Sequence, residues 1–131
     1  EDERTTLEGA YQAFQTTAQT AVTGSQVWVT ILCRFGDATD VTPRPVSWYE
    51  ELMGSSYPGL GHYWEEVSYG NIPDLSGSAV VGWYNLPRPR SYYVYINDSG
   101  AEAPKGDRAV KDCTAVADAE VFFPDFDGIN L

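Results

Sequence analysis

Apolar positions along the chain repeat with two different periods. Residues 27–35, Val27-Trp28-Val29-Thr30-Ile31-Leu32-Cys33-Arg34-Phe35, are apolar or β-branched at nearly every position. A run of strand length that is apolar on both faces predicts a strand in the middle of a sheet. Residues 78–84 and 91–96 read as two further strands. The segment between them, Leu86-Pro87-Arg88-Pro89-Arg90, contains prolines that cannot donate to a ladder. Residues 126–131 read as the beginning of another strand.

Helical spacing appears four times. Over residues 1–20, Leu7, Ala10, Tyr11, Phe14 and Ala18 form one apolar stripe, which predicts a helix packed on the domain. Ser47 stands where an N-cap would, with Glu50 three residues on as its capping-box partner, ahead of Trp48, Tyr49, Leu52 and Met53 and a stop at Gly54. Leu60, Tyr63, Trp64 and Val67 fall at i, i+3, i+4 and i+7 with Glu65 and Glu66 on the other side, and Gly70 closes the segment. These four side chains are therefore expected to be buried structural core rather than a ligand-stacking platform. A last helix beginning at Gly106 or Asp107 places Val110, Cys113, Ala117 and Val121 on one side and ends before Pro124, while residues 97–106 read as a polar loop. Strands alternating with helices predict an α/β (α+β) fold, a mixed twisted sheet backed by helices.

Length and composition sharpen that picture. A chain of 131 residues fits one domain, and 14% aromatic residues favour a packed domain over a disordered one. The formal net charge of −11 repels nucleic acid and anionic membrane surfaces, so neither is expected as a partner. No apolar run is long enough for a membrane span. The charged opening, Glu1 to Arg4, is not expected to be a signal peptide, whether one has been removed or never existed. Two cysteines, Cys33 and Cys113, allow either one disulfide or a pair of buried thiols. Asn97-Asp98-Ser99 matches the glycosylation sequon, which makes Asn97 a candidate acceptor and marks a surface turn.

Catalytic signatures are sparse. His62 is the chain's only histidine, and there is no HExxH or CxxC pattern to build a zinc site around it. Neither a G-x-S-x-G elbow nor a Gly-rich phosphate loop occurs. Glu65 and Glu66 are adjacent in a helical segment and so diverge, unlike the facing carboxylates of a glycosidase. Asp125-Phe126-Asp127-Gly128-Ile129-Asn130 opens like a calcium loop, but Gly arrives two residues early and Ile129 replaces an oxygen ligand.

Several strings, taken in order, resemble the amino-terminal part of the immune-inhibitor-A-like and gametolysin-like zinc metallopeptidases. They are residues 27–35; Gly59-Leu60-Gly61-His62-Tyr63-Trp64-Glu65-Glu66-Val67-Ser68-Tyr69-Gly70; Gly82-Trp83-Tyr84-Asn85-Leu86-Pro87; the helix over residues 107–120; and the ending at residues 122–131. The run from Tyr63 to Gly70 is the most specific of them. The resemblance divides the chain into an amino-terminal helical segment, residues 1–26, and residues 27–131, the amino-terminal part of a catalytic domain that stops before its zinc motif. It implies the upper subdomain of a zincin-like fold in a secreted, extracellular protein, where a disulfide between Cys33 and Cys113 is expected. Zinc is implied for the complete domain and no cofactor for this chain. The implied partners are the missing carboxy-terminal half and, in the complete enzyme, a peptide or protein substrate. By itself the chain is expected to be inactive scaffold. The alternative is an interaction or structural module that lost the zinc-binding helix; an unrelated soluble α/β protein is the third reading.

Overall fold

The computed structural model describes residues 22–131, so the stripe expected from Leu7 to Ala18 lies outside the described residues. Strand β1, Trp28–Arg34, is followed by helices α1, Val46–Met53, and α2, Leu60–Val67, and by strand β2, Ala79–Asn85. A helical turn, α3 at Arg90–Tyr93, leads into the hairpin strands β3, Val94–Ile96, and β4, Glu102–Pro104. Helix α4, Gly106–Ala117, a 3-10 turn at Phe123–Asp125 and strand β5, Gly128–Asn130, complete the order. The main sheet has the order β2-β1-β5, and β1 pairs parallel with both neighbours. The separate β3–β4 pair is antiparallel. The expected α/β architecture is thus observed, with parallel and antiparallel pairing kept in two different sheets.

Helices cover both faces of β1, as its two-sided apolar run requires. Val29 and Ile31 are completely buried and share a core with Tyr93, Cys113, Ala117 and Val121. Thr30, from the opposite face, accepts a hydrogen bond from Asn130, whose amide also reaches the Met53 sulfur of α1. Chain connectivity explains this division. The path from β1 to β2 and the path from β2 back over β1 to β5 run in opposite directions across the sheet. Right-handed parallel crossovers must then place α1 and α2 on one face and α4 on the other.

A disulfide joins Cys33 of β1 to Cys113 of α4 across 6.1 Å between Cα atoms, with 80 residues of sequence separation. The two positions meet because both belong to the core stripe, Cys113 four residues before Ala117 on the buried side of α4. Gly82 shows a second close approach. A Cβ there would stand 2.4 Å from the Leu32 carbonyl oxygen, at the point where the β1–β2 register shifts. Just past this shift, Trp83 packs edge-on against Tyr49 of α1 with ring centroids 5.7 Å apart, and its indole N–H donates to the Arg44 carbonyl at 2.9 Å.

Four local expectations are corrected. Ser47 is not a cap: α1 starts at Val46, Pro45 occupies the N-cap with extended backbone, and no side chain caps the helix, which leaves the Ser47–Glu50 capping box unformed. Residues 91–93 are helical rather than extended, because Pro89 accepts the Tyr92 N–H and the turn carries the Tyr93 ring into the core. Residues 97–106 contain β4, since the Asn97 side chain accepts the N–H groups of Ser99 and Ala101 and closes a hairpin. Helix α4 ends at Ala117, well before Pro124, and Val110 is half exposed, so the buried stripe is Ala109, Cys113 and Ala117.

Two core tyrosines donate to carboxylates. The Tyr93 hydroxyl bonds Asp112 at 2.7 Å, and burial followed by that bond pushes its pKa up to about 12. The Tyr84 hydroxyl bonds Glu120, and this bond, with a smaller contribution from burial, pushes its pKa up to about 12 as well. Folding therefore favours the protonated phenols. Their contribution to stability is fully present below the unfolded-state value near 10 and is lost as pH rises toward 12. Unfolding midpoints in urea should fall across that interval, and a Tyr84→Phe, Tyr93→Phe chain should show a shallower fall with pH. In the loop-closure description, a disulfide that closes about 80 residues stabilises by roughly 4.5 kcal/mol. Chemical denaturation of the Cys33→Ala, Cys113→Ala chain should show a loss of that order, and reductant should produce the same shift in the parent but none in the variant.

Candidate functional site

The polar residues with catalytic potential are mostly engaged in holding the fold. Cys33 and Cys113 are bonded to each other, so neither is free as a nucleophile or metal ligand. Asp127, in the calcium-like run, pins the start of β5 to β1. Its carboxylate accepts the Val27 N–H at 2.8 Å, and its own N–H donates to the Val27 carbonyl at 2.7 Å. Asn97 sits at the tip of the β3–β4 hairpin, where its side-chain oxygen also accepts the Ser99 hydroxyl at 2.6 Å. His62 packs edge-on against Tyr57 with ring centroids 5.6 Å apart, and it lines a shallow surface hollow with Glu65, Glu66 and Tyr69. Among the described residues, no three His, Cys, Asp or Glu side chains converge as a metal site.

Helix α2 presents its apolar stripe differently from the core placement expected. Tyr63 is 52% exposed, Trp64 43% and Val67 45%, and Leu60 is partly buried; Gly61 is the one buried residue of the helix. Glycine contacts decide the orientation. Gly61 donates its N–H to the Gly54 carbonyl at 3.0 Å, and a Cβ at Gly61 would lie 2.9 Å from that oxygen. The backbone of α2 thus rests directly on the end of α1 through its glycine side, and the aromatic side is left along the rim of a groove. Spacing identified the stripe correctly but carries no information about what covers it.

That groove is lined mainly by apolar side chains. One hollow of about 330 Å³ is bounded by Val22, Trp28, Trp64, Ile72 and Leu75, with Asp127 at its edge. A second, of about 220 Å³, shares Trp28, Trp64 and Leu75 and extends to Met53, Leu60 and Asn130. On the other face of the sheet, Ile129 of β5 borders an open hollow with Thr114, Ala115, Asp118 and Phe123. Strand β5 separates the two sides. It is hydrogen-bonded to β1 along one edge, and in the described sheet no strand pairs with its other edge. An unpaired edge with side-chain hollows above and below suits an added extended segment, whose alternate residues point to opposite faces. A sheet edge open to an extended peptide is what the family resemblance implies; that β5 carries it was not readable in the sequence, because it depends on which strand lies outermost.

Stability measurements can separate groove from core. Ile31→Ala, at a completely buried position, should cost about 2–5 kcal/mol. Trp64→Ala, at a position 43% exposed, should cost about 1 kcal/mol and leave the fold intact by circular dichroism. A Trp64→Ala loss as large as that of Ile31→Ala would mean that the ring is packed as core. No family model, curated protein or solved structure matches this chain.

Proposed function

We propose that the chain is the amino-terminal scaffold of a secreted zinc metallopeptidase domain, one that supplies sheet and core but no zinc ligand. The observation that carries this reading is the open edge of β5, with hollows on both faces, where further strands of a larger sheet would add. The string from Tyr63 to Gly70 and the other segments named above resemble that family, and the doubly covered parallel sheet is compatible with it. A disulfide is the kind of bond that persists in oxidising compartments, which agrees with secretion. No helix among the described residues is long and apolar enough to cross a membrane.

The side chains present do not fit a resident zinc ion. Catalytic zinc needs three converging protein ligands, and the chain has one histidine, seated in a surface hollow on α2. No metal step is therefore derived from these residues. Their part in peptide hydrolysis would be to hold the sheet against which the metal-bearing half folds. The exposed Tyr63 and Trp64 favour a second reading, an interaction module without catalysis.

Metal analysis and peptide hydrolysis, measured on this chain and on a product extended along the coding sequence past Leu131, distinguish the readings. The expected result is no stoichiometric zinc and no hydrolysis for the 131-residue chain, and one zinc with activity for the longer product. An extended product without an HExxH helix or zinc would favour the interaction module. Zinc held by the 131-residue chain and lost in His62→Ala would overturn both.

A further inference from the structure

Cationic side chains are placed unevenly in this acidic chain. Five of its eight Lys and Arg residues, Arg88, Arg90, Lys105, Arg108 and Lys111, fall within residues 88–111, where only three carboxylates accompany them. The fold gathers two of the five on one aromatic ring. Arg88 follows β2 and is held at the end of β1, where its carbonyl accepts the Gly36 N–H at 2.9 Å. Arg108 stands in the first turn of α4 and donates from Nη1 to the Tyr92 carbonyl at 3.1 Å. Their guanidinium carbons lie 5.4 Å and 4.5 Å from the centre of the Tyr92 ring, a range in which a cation is attracted to a ring face. The ring therefore holds two like charges near each other, and among the described residues no ion pair offsets them. Glu102 is paired with Arg90, and Asp112, one turn beyond Arg108, accepts the Tyr93 hydroxyl at 2.7 Å.

We propose that Arg88, Tyr92 and Arg108 form a binding site for the carboxylates of a short acidic segment of another protein. A guanidinium fork meets a carboxylate through two parallel N–H···O bonds, and the shared Tyr92 ring offers an apolar surface to the aliphatic part of an Asp or Glu side chain. The site lies past the carboxyl ends of the parallel strands β1 and β2, which is where open α/β sheets bind their ligands. Charge sets the size of the ligand. Exposed charges are screened beyond about 8 Å at physiological ionic strength, so a segment with a few carboxylates meets mainly the local cations. A long polyanion or an anionic membrane would extend over the rest of a chain whose net charge is −11 and be repelled. This assignment does not depend on the metallopeptidase reading, because it uses neither the β5 edge nor a metal.

Titration of the full 131-residue chain with a hexaglutamate peptide, followed by backbone amide and arginine Nε–H resonances, tests it. Saturable shifts should centre on residues 88–92 and 105–109 and weaken with added salt. Arg88→Ala and Arg108→Ala should each raise Kd about fivefold, the upper end for a partly exposed ion pair. Arg88 is exposed, so its replacement tests the site without touching the core. Arg44→Ala removes the same charge from a guanidinium stacked on Trp48 instead, and should leave Kd unchanged. Amide positions of β1 should be the same in all three variants, showing that the sheet remains folded. Absence of saturable binding would overturn the proposal, as would a Kd unchanged in both Arg88→Ala and Arg108→Ala. An equal loss in Arg44→Ala would reduce the effect to net charge and overturn it too. Inorganic phosphate that binds as tightly as the peptide would give the site to free oxyanions, and self-association of the parent that Arg88→Ala abolishes would give it to a second copy of the chain; either result overturns the assignment.

Discussion

Burial of β1 on both faces is the constraint on which the other elements depend. Val29 and Ile31 are removed from water against α4, and Thr30 and Leu32 are buried on the side of α1 and α2. Each fully buried aliphatic side chain contributes about 1.5–3 kcal/mol relative to exposure. A strand with no solvent face needs a layer on each side, and parallel pairing supplies both layers through its crossovers. The order β2-β1-β5 keeps that strand central. The disulfide ties its end to the helix that covers it, so the bond and the hydrophobic core constrain the same pair of elements.

Around this core, polar side chains serve as fasteners. Ser78 accepts the Trp28 N–H at 2.9 Å and steadies the entry to β1 from the β2 side, while Asp127 does the same from β5. Asp112 and Glu120 each accept a tyrosine hydroxyl from the layer they face. Among the described residues, no buried side-chain nitrogen or oxygen lacks a partner. An orphaned buried side chain often marks a catalytic centre, and none is found among the described residues. Interest therefore shifts from buried chemistry to two surfaces, the free edge of β5 and the aromatic groove beside α2, both of which suit polypeptide contact.

The glycines of α2 show how a short helix can be amphipathic and still leave its apolar stripe in solvent. Gly59 and Gly61 bring its backbone onto the Gly54–Ser56 turn, closer than any side chain would allow. Backbone contact of this kind outranks the hydrophobic stripe in setting the roll of the helix, because the close approach is rigid and the helix has only eight residues. Trp64 then forms a wall of the groove instead of part of the core.

Elements whose identity rests on local composition were legible in the sequence. The two-sided apolar run of β1 announced a central strand, β2 and β5 lay within a residue or two of their expected segments, and Cys113 and Ala117 lay on the buried stripe of α4. The roles of the prolines between β2 and α3 were also readable, since a missing N–H has the same consequence in any fold. Tertiary structure alone decided the rest. Residues 97–106 are polar and non-alternating, so only the closure of the Asn97 turn makes a strand of Glu102–Pro104. Residues 90–93 give way to a helical turn because the Tyr93 ring is drawn into a core contributed by distant residues. The exposure of Tyr63, Trp64 and Val67, and the free edge of β5, follow from which elements end up adjacent. Periodicity along a chain specifies which side of an element is apolar, but the partner that covers that side is set by contacts between residues far apart in sequence.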